Sequence, residues 1–563
     1  MRAVFYANGL FMSVEKEAAR QAAATQPASV TVRRVASAAV WPFAALMLAA
    51  GALLAASALY IPSVMWLRQS TTALSTASNY SMRRLLIALM LMVLSYGLIR
   101  RRQVAYYVTL LTAAFGAVIL ESTAWTVVFT FFSLGLALCR GAYVVPAQAE
   151  RLRTALKTGL ILFVVGYVYI QLSHHFPLMT MHVDTLMVGV GIVMLFIAQM
   201  SAPAPLPAGA AERARVKRLV EVRDSDTLAP FALRHDKSYV FSADGRAAIG
   251  YRVLLGVAIA GGDPVGHADA AESAIEAFMQ LCQRKGWEPS VLGVRMELAP
   301  VWRRYGLSVL SIGDEVILDV GSFTLVGRKM LNVRQSVAHT RKVGVTTEIC
   351  REGELSSELR AQLQDLSERW LQGKTHHGFS MILDGMLTGA HSDPLLVIAR
   401  DAQGHPVGFQ RYAACAAGRA LSLDTMRRDR NGPACLNERM IVDLVEYARE
   451  RGTEAISLNF AAFRPLLDAG ASRTPVQQVA YKALHLLDPF IQVESLYRFN
   501  AKFRPGFLER GVGLPSLAVF PAVLMALLGM EFALPYDRNR NRLPAPELET
   551  AAVDVVVESK SAL

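Results

Sequence analysis

Asp424 and Arg427 are the residues of this sequence whose types and spacing best suit chemistry on a charged substrate. They stand three positions apart at the end of a stretch that predicts a β-strand. The carboxylate can bind an ammonium group, and the guanidinium can bind a phosphate through two parallel hydrogen bonds. Spacing alone favours a simpler interpretation, a salt bridge on the surface. The motif around the pair must decide between the two.

Lys502 is a second candidate, in the segment Asn500-Ala501-Lys502-Phe503. Its ammonium can hold a phosphate or neutralise an oxyanion that develops during a reaction. A solvated lysine beside a buried Phe503 is an equally good interpretation of the same residues. We assign three further cations to attraction of an anionic substrate. They are Arg428, next to Arg427, and Arg498 and Arg504, near Lys502 in the sequence.

A third set of cations lies between two predicted structural units. A basic run of this kind is usually the solvated face of a helix, and it can also attract phosphates without regard to base sequence. The set comprises Arg328, Lys329, Arg334, Arg341 and Lys342, of which the first three are assigned to substrate binding.

His339, His376 and His377 are candidates for proton transfer because imidazole titrates near neutral pH. No carboxylate stands at a diagnostic spacing from any of them, so ordinary polar roles are favoured and no general base is assigned. Signatures of hydrolases, nucleotide-binding loops and zinc proteases are missing, and so is the glycine-rich loop that holds coenzyme A. The five cysteines show no paired spacing. We therefore predict no metal site and no cofactor.

The elements that must position these residues follow a Pro- and Ala-rich linker at 201–218. Short strands alternate with amphipathic helices, which indicates an α+β domain. A first unit at 219–345 opens with a hairpin signalled by Asp244-Gly245. A second unit at 346–512 contains a helix that ends at Gly452 and carries the candidate motif. The similar content of the two units suggests a duplication, although no fixed sequence period is visible.

Before the linker, residues 38–200 predict a membrane domain of about six helices. Two of the apolar runs are apolar around the whole helix, which excludes ordinary amphipathic surface helices. Several fall short of the ~20 residues of a comfortable span, so their ends must borrow flanking residues. The runs are 38–66, 85–99, 104–120, 124–138, 160–172 and 186–200.

Basic residues in the short loops predict the orientation of these helices. Arginines and lysines follow the second, fourth and sixth runs, whereas the loops 121–123 and 173–184 contain none. Both chain ends are therefore expected in the cytoplasm, although the loop with Arg68, Arg83 and Arg84 opposes the rule. Residues 1–37 predict a cytoplasmic segment without a removable signal peptide. We expect 513–536 to be an apolar, membrane-proximal helix and 537–563 to be disordered.

Composition agrees with this division. The sequence is 53% hydrophobic and contains 58 basic against 46 acidic residues, a net charge of +12; its mean hydropathy is +0.32. Positive charge on a cytoplasmic face suits an anionic bilayer, a nucleic-acid backbone, or both. The positive-inside rule alone accounts for part of the excess.

Six short phrases in the second part of the chain resemble the aminoacyl-phosphatidylglycerol synthases, the family that includes the multiple peptide resistance factor. They occur in the family's order, and the wording around 422–430 is most similar to the actinobacterial lysyl-phosphatidylglycerol branch. The phrases are Asp-Lys-Ser-Tyr at 236–239, Gly-Asp-Pro-Val-Gly at 262–266, Phe-Thr-Leu at 323–325, His-Gly-Phe-Ser at 377–380, Leu-Asp-Thr-Met-Arg-Arg at 423–428 and Lys-Phe-Arg-Pro at 502–505.

The resemblance implies a tandem acetyltransferase-like (GNAT) fold on a multi-pass anchor in the bacterial cell membrane. It implies transfer of an aminoacyl group, most simply lysyl, from aminoacyl-tRNA to phosphatidylglycerol, and with it resistance to cationic antimicrobial peptides. It gives catalytic roles to Asp424, Arg427 and Lys502. The sequence ends at Leu563 without a fused lysyl-tRNA synthetase, so we expect a separate synthetase to supply the charged tRNA.

Several alternatives stay open at this point. The donor can be another aminoacyl-tRNA, such as alanyl-tRNA, and the acceptor another lipid, such as diacylglycerol. A catalytically inert lipid-binding or lipid-transport module is a different class of function compatible with the same fold. A homo-oligomer is also compatible with the sequence.

Overall fold

The computed structural model describes residues 28–58, 81–119, 123–173, 183–372, 382–462, 498–516 and 519–532. The candidates His376 and His377 lie outside these ranges, as do most of the expected N-terminal segment 1–37 and the whole tail 537–563. The chain divides into two compact units. One comprises Met1–Pro203 with Leu281–Trp287, and the other comprises Ala204–Gln280 with Glu288–Leu563.

The N-terminal unit is helical in its described residues, and each of the six apolar runs overlaps one helix. Two of the helices contain segments long and apolar enough to cross a membrane, Val40–Ser57 and Ala149–Leu172, while others have shorter apolar segments. The helices are α1 (Ala28–Ala58), α2 (Ser81–Ile99), α3 (Gln103–Ile119), α4 (Thr123–Leu138), α5 (Ala149–Ser173) and α6 (Val183–Ala198).

Small residues bring α1 and α2 close together. The Ser95 hydroxyl donates a hydrogen bond to the Ala44 carbonyl at 2.8 Å, and a side chain on Gly51 would crowd the Ala88 carbonyl. Such contacts are typical of helices that pack where the hydrophobic effect between them is weak. By contrast, α5 exposes apolar side chains such as Leu160 and Val165. An exposed apolar face of this size requires a partner or a lipid environment.

The second unit is built on one large mixed sheet. Its strands are β1 (Ser238–Phe241), β2 (Ala247–Leu254), β3 (Val257–Gly261), β4 (Val265–Gly266), β5 (Glu288–Arg295), β6 (Ser308–Asp319), β7 (Thr346–Arg351), β8 (Leu395–Arg400), β9 (Pro406–Cys415), β10 (Ala420–Arg428), β11 (Ala455–Ala462) and β12 (Gly506–Leu514). The helices that accompany the sheet are α7 (Ala210–Val220), α8 (Ala271–Lys285), α9 (Ala299–Arg304), α10 (Leu331–Lys342), α11 (Ser357–Leu371), α12 (Leu436–Glu450) and α13 (Phe520–Phe532).

The strand order shows the same arrangement twice within the sheet. The order is β1-β2-β3-β5-β12-β6-β11-β10-β9-β8-β7, with β4 beside β2. In each half, antiparallel strands lead to a strand, a helix and a parallel strand: β3, α8 and β5 in the first, and β10, α12 and β11 in the second. This arrangement confirms the tandem fold expected from the sequence resemblance.

The two halves exchange strands at the centre of the sheet. The first-half strand β6 pairs with β11 of the second half, and the last strand, β12, pairs with β5 of the first. The strands β6 and β12 also pair with each other. The expected boundary at 345/346 therefore divides the sequence but not the sheet.

Helices cover both faces of the second half. Residues Val397 and Ala399 of β8 contribute to the core beneath α10 and α12, while their neighbours Leu396 and Ile398 pack with residues of α11. This alternation of buried side chains is what a strand covered on both faces requires. At the other end of the sheet, α13 buries Val523, Ala526 and Met530 in a cluster with residues of β3.

Candidate active site

The candidate site lies where the parallel strands β10 and β11 separate. Their pairing ends at Ser422 and Ser457, and β10 has a bulge between Leu423 and Thr425 that contains Asp424. Bulges re-aim side chains and commonly stand beside functional sites. At this point the side-chain amide of Asn459 donates a hydrogen bond to the Leu423 carbonyl at 3.1 Å.

Asp424 is held by two strong donors. One carboxylate oxygen accepts a hydrogen bond from the Leu383 backbone N–H at 2.7 Å, and the other accepts one from the Arg411 Nη1 at 2.7 Å. Arg411 also donates Nε to Glu352 at 2.6 Å. The second oxygen of Glu352 accepts from the Leu387 N–H at 2.6 Å. These contacts tie two strands to the segment that contains Leu383 and Leu387.

The three charged side chains, Glu352, Arg411 and Asp424, are at most 1% exposed. Burial would lower the pKa of Arg411, but the two carboxylates raise it, so the guanidinium is charged. Two carboxylates against one guanidinium leave a net negative charge, which the backbone N–H groups of Leu383 and Leu387 partly compensate. The Nη2 group of Arg411 is buried and has no hydrogen-bond partner within the described residues.

Arg427 lies on the same face of the sheet, the face covered by α11. Its guanidinium stacks over the Trp370 ring, with the Cζ atom 4.4 Å from the ring centroid. Burial lowers the pKa of Arg427 to about 10, and the charge of Asp424 opposes this decrease. Arg427 therefore stays charged at neutral pH. The ion pair of Asp424 is formed with Arg411, so the surface salt bridge considered from spacing is not the role of that carboxylate.

Lys502 lies beside α12, which covers the other face. Its Nζ is 2.9 Å from Glu438 of α12 and 5.3 Å from the centroid of Phe499. Its side chain is 44% exposed, whereas Phe503 next to it is buried in the core with α12 residues. The structure thus brings Asp424 and Arg427 to one face and places Lys502 by the helix on the opposite face.

The basic set between the two halves is exposed. Arg328 and Lys329 precede α10, and Arg341 and Lys342 end it, all with exposed side chains. Arg334 has a structural contact as well, because its guanidinium donates to the Leu325 carbonyl at 2.6 Å. The helix packs its apolar residues on the core shared with α12, so its charged side faces solvent.

The other candidates have simpler surroundings. His339 of α10 is exposed, Arg428 is half-buried at the end of β10, and Arg498 and Arg504 are exposed on either side of Phe503. Arg504 has a positive φ of 54°, an uncommon conformation for a residue with a side chain. It stands where the chain turns into β12.

A second buried ionic cluster lies near the strand exchange. Arg510 of β12 donates to both oxygens of Asp226 at 2.7 Å and to Glu315 at 3.0 Å through Nε. Asp263 lies 4.0 Å from the same guanidinium. Beside the cluster is an open cavity of about 470 Å³, lined in part by Asp226, Arg295 and Phe507.

Sequence reasoning missed Arg411, Glu352 and Arg510. Two of the three carried a signal, because Arg411 and Arg510 each interrupt a strand whose other residues are mostly apolar or small. A charged residue at such a position is usually buried with a partner. Glu352 carried no local signal, since its partner is 59 positions away.

Comparison with known proteins places this geometry in a family. Residues 217–510 match the family model described as phosphatidylglycerol lysyltransferase, C-terminal. The chain belongs to this family. The matched region includes the exchanged strand β6, the first part of the exchanged strand β12 and the Asp424–Arg411–Glu352 cluster.

Two relatives of this lysyltransferase family are similar in sequence. The MprF-like domain protein Rv1619 of Mycobacterium tuberculosis is 37% identical over 324 residues, which cover 56% of this chain and 66% of that protein. The lysylphosphatidylglycerol biosynthesis bifunctional protein LysX of Gordonia bronchialis is 37% identical over 319 residues, 56% of this chain and 28% of that protein. The chain thus spans just under two thirds of the first relative's length and less than a third of the second's.

Two solved structures show the same fold. The C-terminal domain of a lysylphosphatidylglycerol synthetase from Agrobacterium fabrum has a TM-score of 0.50 and 20% identity, covering 58% of this chain and 99% of that one. L-PGS from Bacillus licheniformis has a TM-score of 0.51 and 20% identity, covering 57% and 97%. At 20% identity, the likeness to these two structures shows a shared fold alone.

Proposed function

We propose that this protein transfers a lysyl group from lysyl-tRNA to a glycerol hydroxyl of phosphatidylglycerol. The observation that carries the proposal is the family match over both halves of the sheet, together with a charged site where β10 and β11 separate. Related proteins are named for lysylphosphatidylglycerol biosynthesis.

The reaction needs positioning more than an unusual nucleophile. The lipid hydroxyl oxygen attacks the carbonyl of the aminoacyl ester, and the tRNA 3′ oxygen leaves with the proton that the lipid oxygen has lost. The donor ester is already activated, so holding the two substrates together and stabilising the tetrahedral oxyanion supply most of the catalysis.

The described contacts suggest a role for each residue. Arg427, whose guanidinium lies over the Trp370 ring, binds the lipid phosphate. Asp424 and Glu352 give the site a negative field that attracts the ammonium groups of the lysyl donor. Because both oxygens of Asp424 already accept hydrogen bonds, its main role is to fix the segment at Leu383. Lys502, on the α12 face, has a partly exposed side chain whose ammonium is paired with Glu438, and it neutralises a phosphate or the oxyanion from that side.

The tRNA and membrane arrangements belong to the same proposal. The exposed cations of α10 attract the phosphates of the tRNA acceptor stem, with further attraction from Arg428, Arg498 and Arg504. The N-terminal helices form a multi-pass anchor with the sheet unit in the cytoplasm, where charged tRNA and the inner leaflet are both present. Lysylation changes the headgroup from one net negative to one net positive charge, which lowers attraction of cationic antimicrobial peptides.

Lipid analysis tests this function directly. The full chain is expressed in a bacterial host that lacks aminoacylated lipids, and lipid extracts are examined by mass spectrometry. We expect lysyl-phosphatidylglycerol, and its loss in Arg427→Ala. Alanyl-phosphatidylglycerol or an aminoacylated diacylglycerol would move the assignment to another donor or acceptor. An unchanged lipid profile with well-expressed, folded protein would contradict the transferase and leave the lipid-binding module.

A further inference from the structure

Three side chains converge on one point away from the residues assigned to catalysis. The Nδ1 atom of His235 lies 3.0 Å from the Oδ1 atom of Asp384, and the Nε2 atom of His391 lies 3.3 Å from the same oxygen. The ligand atoms of all three residues lie within 4.8 Å of one another. His235 comes from the first half of the sheet unit, and the other two come from the segment between α11 and β8.

Two imidazoles and one carboxylate are the donor set of many transition-metal sites. A tetrahedral zinc ion with bonds of about 2.0–2.2 Å separates its ligand atoms by roughly 3.4 Å. The two measured separations, 3.0 and 3.3 Å, are close to this value. Both imidazoles direct a nitrogen at a single oxygen, so one ion placed between them reaches all three donors with little movement.

Arg234 is a cation that acts on the charge of Asp384. Arg234 is itself engaged, because it donates to both oxygens of Asp236 at 3.0 Å. Further charges that act on this region are Arg252, Lys237 and Glu531.

The position of Asp384 is also fixed by a contact that no metal would replace. The His235 backbone N–H donates to the Oδ2 atom of Asp384 at 2.9 Å, which leaves Oδ1 facing the two rings. Supporting hydrogen bonds of this kind orient metal-binding carboxylates. The three side chains are between 13% and 21% exposed, so water can reach the remaining coordination positions.

We propose that His235, Asp384 and His391 bind one divalent transition-metal ion of the zinc class, with water completing its coordination. The ion takes the place of the two imidazole hydrogens that would otherwise point at Asp384. It joins the first half of the sheet unit to the segment whose Leu383 N–H holds Asp424. The ion would therefore crosslink these two parts of the unit, one residue away from the contact between Leu383 and Asp424. This structural role does not depend on the transfer reaction proposed above.

Variants that preserve the hydrogen bonds separate a metal site from a hydrogen-bonded cluster. His391→Gln keeps a nitrogen donor near the Nε2 position, and His235→Asn keeps one near the Nδ1 position, but amides are poor zinc ligands. His405→Asn is the control, because His405 is exposed and pairs with Asp401 at 3.7 Å, with no third ligand among the residues that the structure describes. The full chain is produced with zinc in the medium, purified in detergent without a polyhistidine tag, and assayed by elemental mass spectrometry.

We expect about one zinc per chain in the wild type and in His405→Asn, and at least a tenfold loss in His391→Gln and His235→Asn. Adding zinc to chelator-treated protein should raise the unfolding temperature of the wild type and of His405→Asn. It should leave the unfolding temperatures of His391→Gln and His235→Asn unchanged. Substitution by Co²⁺ should give visible absorption without the charge-transfer band of thiolate ligands. Wild-type zinc content in His391→Gln, a thiolate band, or a wild type that neither contains nor responds to zinc would overturn the proposal.

Discussion

The Arg411 guanidinium donates to Asp424 at 2.7 Å while its Nε donates to Glu352 at 2.6 Å, so one cation serves two buried carboxylates. All three side chains are almost wholly excluded from solvent. Removing the cation leaves two uncompensated charges in a medium of low polarizability, which is far more costly than removing an exposed ion pair. Arg411 therefore supports both the fold of the second half and the position of Asp424.

The first prediction concerns the stability of this cluster. Arg411→Met should lower the free energy of unfolding by about 3–5 kcal/mol because Glu352 and Asp424 stay buried without their partner. Arg400→Met is the control: Arg400 pairs with Glu348 at the surface, and its substitution should cost less than about 1 kcal/mol. Denaturant unfolding of the two variants measures the difference. Equal stabilities would contradict a buried ionic cluster.

The stacking of Arg427 on Trp370 gives a prediction about rate. Trp370→Leu removes the aromatic face but keeps an apolar side chain, and it should reduce lipid lysylation roughly 3- to 30-fold because the guanidinium is no longer supported. Trp370→Phe should retain most of the activity. Tyr447→Leu, on α12, removes a comparable aromatic ring from Arg451, which follows that helix, and should have no effect on rate. A Trp370→Leu enzyme with wild-type activity would show that the stacking is unrelated to catalysis.

Charge reversal tests the basic side of α10 as an RNA-binding surface. Arg328→Glu with Lys329→Glu should weaken tRNA binding and reduce its salt dependence by about 0.7–0.9 in the log–log slope for each phosphate that the variant no longer neutralises. Arg334 is left intact because it supports the loop at Leu325. The control makes the same change in net charge elsewhere, at two exposed arginines, Arg246 and Arg304. Full tRNA affinity of the first variant at low salt would exclude this surface.

Asp263 should make stability depend on pH. Burial, followed by the charge of Asp226, raises the pKa of Asp263 to about 6, whereas an aspartate in an unfolded chain titrates near 3.9. Between about pH 4 and 6 the folded protein holds a proton that the unfolded chain has released, so stability falls as the pH rises through this window and stays lower above it.

Asp263→Asn cannot ionise and should remove this dependence, gaining on the order of 2 kcal/mol relative to the wild type between pH 4 and pH 7.5. Unfolding temperatures of both proteins at the two pH values measure the gain. Asp269→Asn, at an exposed carboxylate, is the control. A difference between wild type and Asp263→Asn that does not change with pH would contradict the raised pKa.

Local sequence signals predicted much of the fold and part of the site. The hairpin at Asp244-Gly245 and the helix that precedes Gly452 form where turn and stop residues placed them. The tandem character followed from the family resemblance, and the family itself is confirmed. Asp424 and Arg427 both belong to β10, as the sequence predicted, but residues three apart on a regular strand point to opposite faces, and it is the unpredicted bulge at Asp424 that brings them to one face.

Long-range contacts could not be predicted in this way. The pairing of β12 with β5 and β6 depends on which strand edges remain free after both halves have formed, and no short segment encodes that outcome. Lys502 and Arg427 lie on opposite faces for a similar reason. Lys502 just precedes the exchanged strand β12, and the pairing of that strand puts Lys502 and Phe503 on the α12 face, whereas Arg427 lies over Trp370 on the other. His235 and Asp384 stand 149 positions apart, so their meeting is visible only in three dimensions.

The exchange of β6 and β12 makes each half of the sheet depend on a strand of the other half. If the polypeptide were cut near Gly344, the first fragment would keep β6, which pairs with β11 of the second fragment. The second fragment would keep β12, which pairs with β5 of the first. Neither piece could then seal its own central edge, and we expect soluble material only when both are produced together.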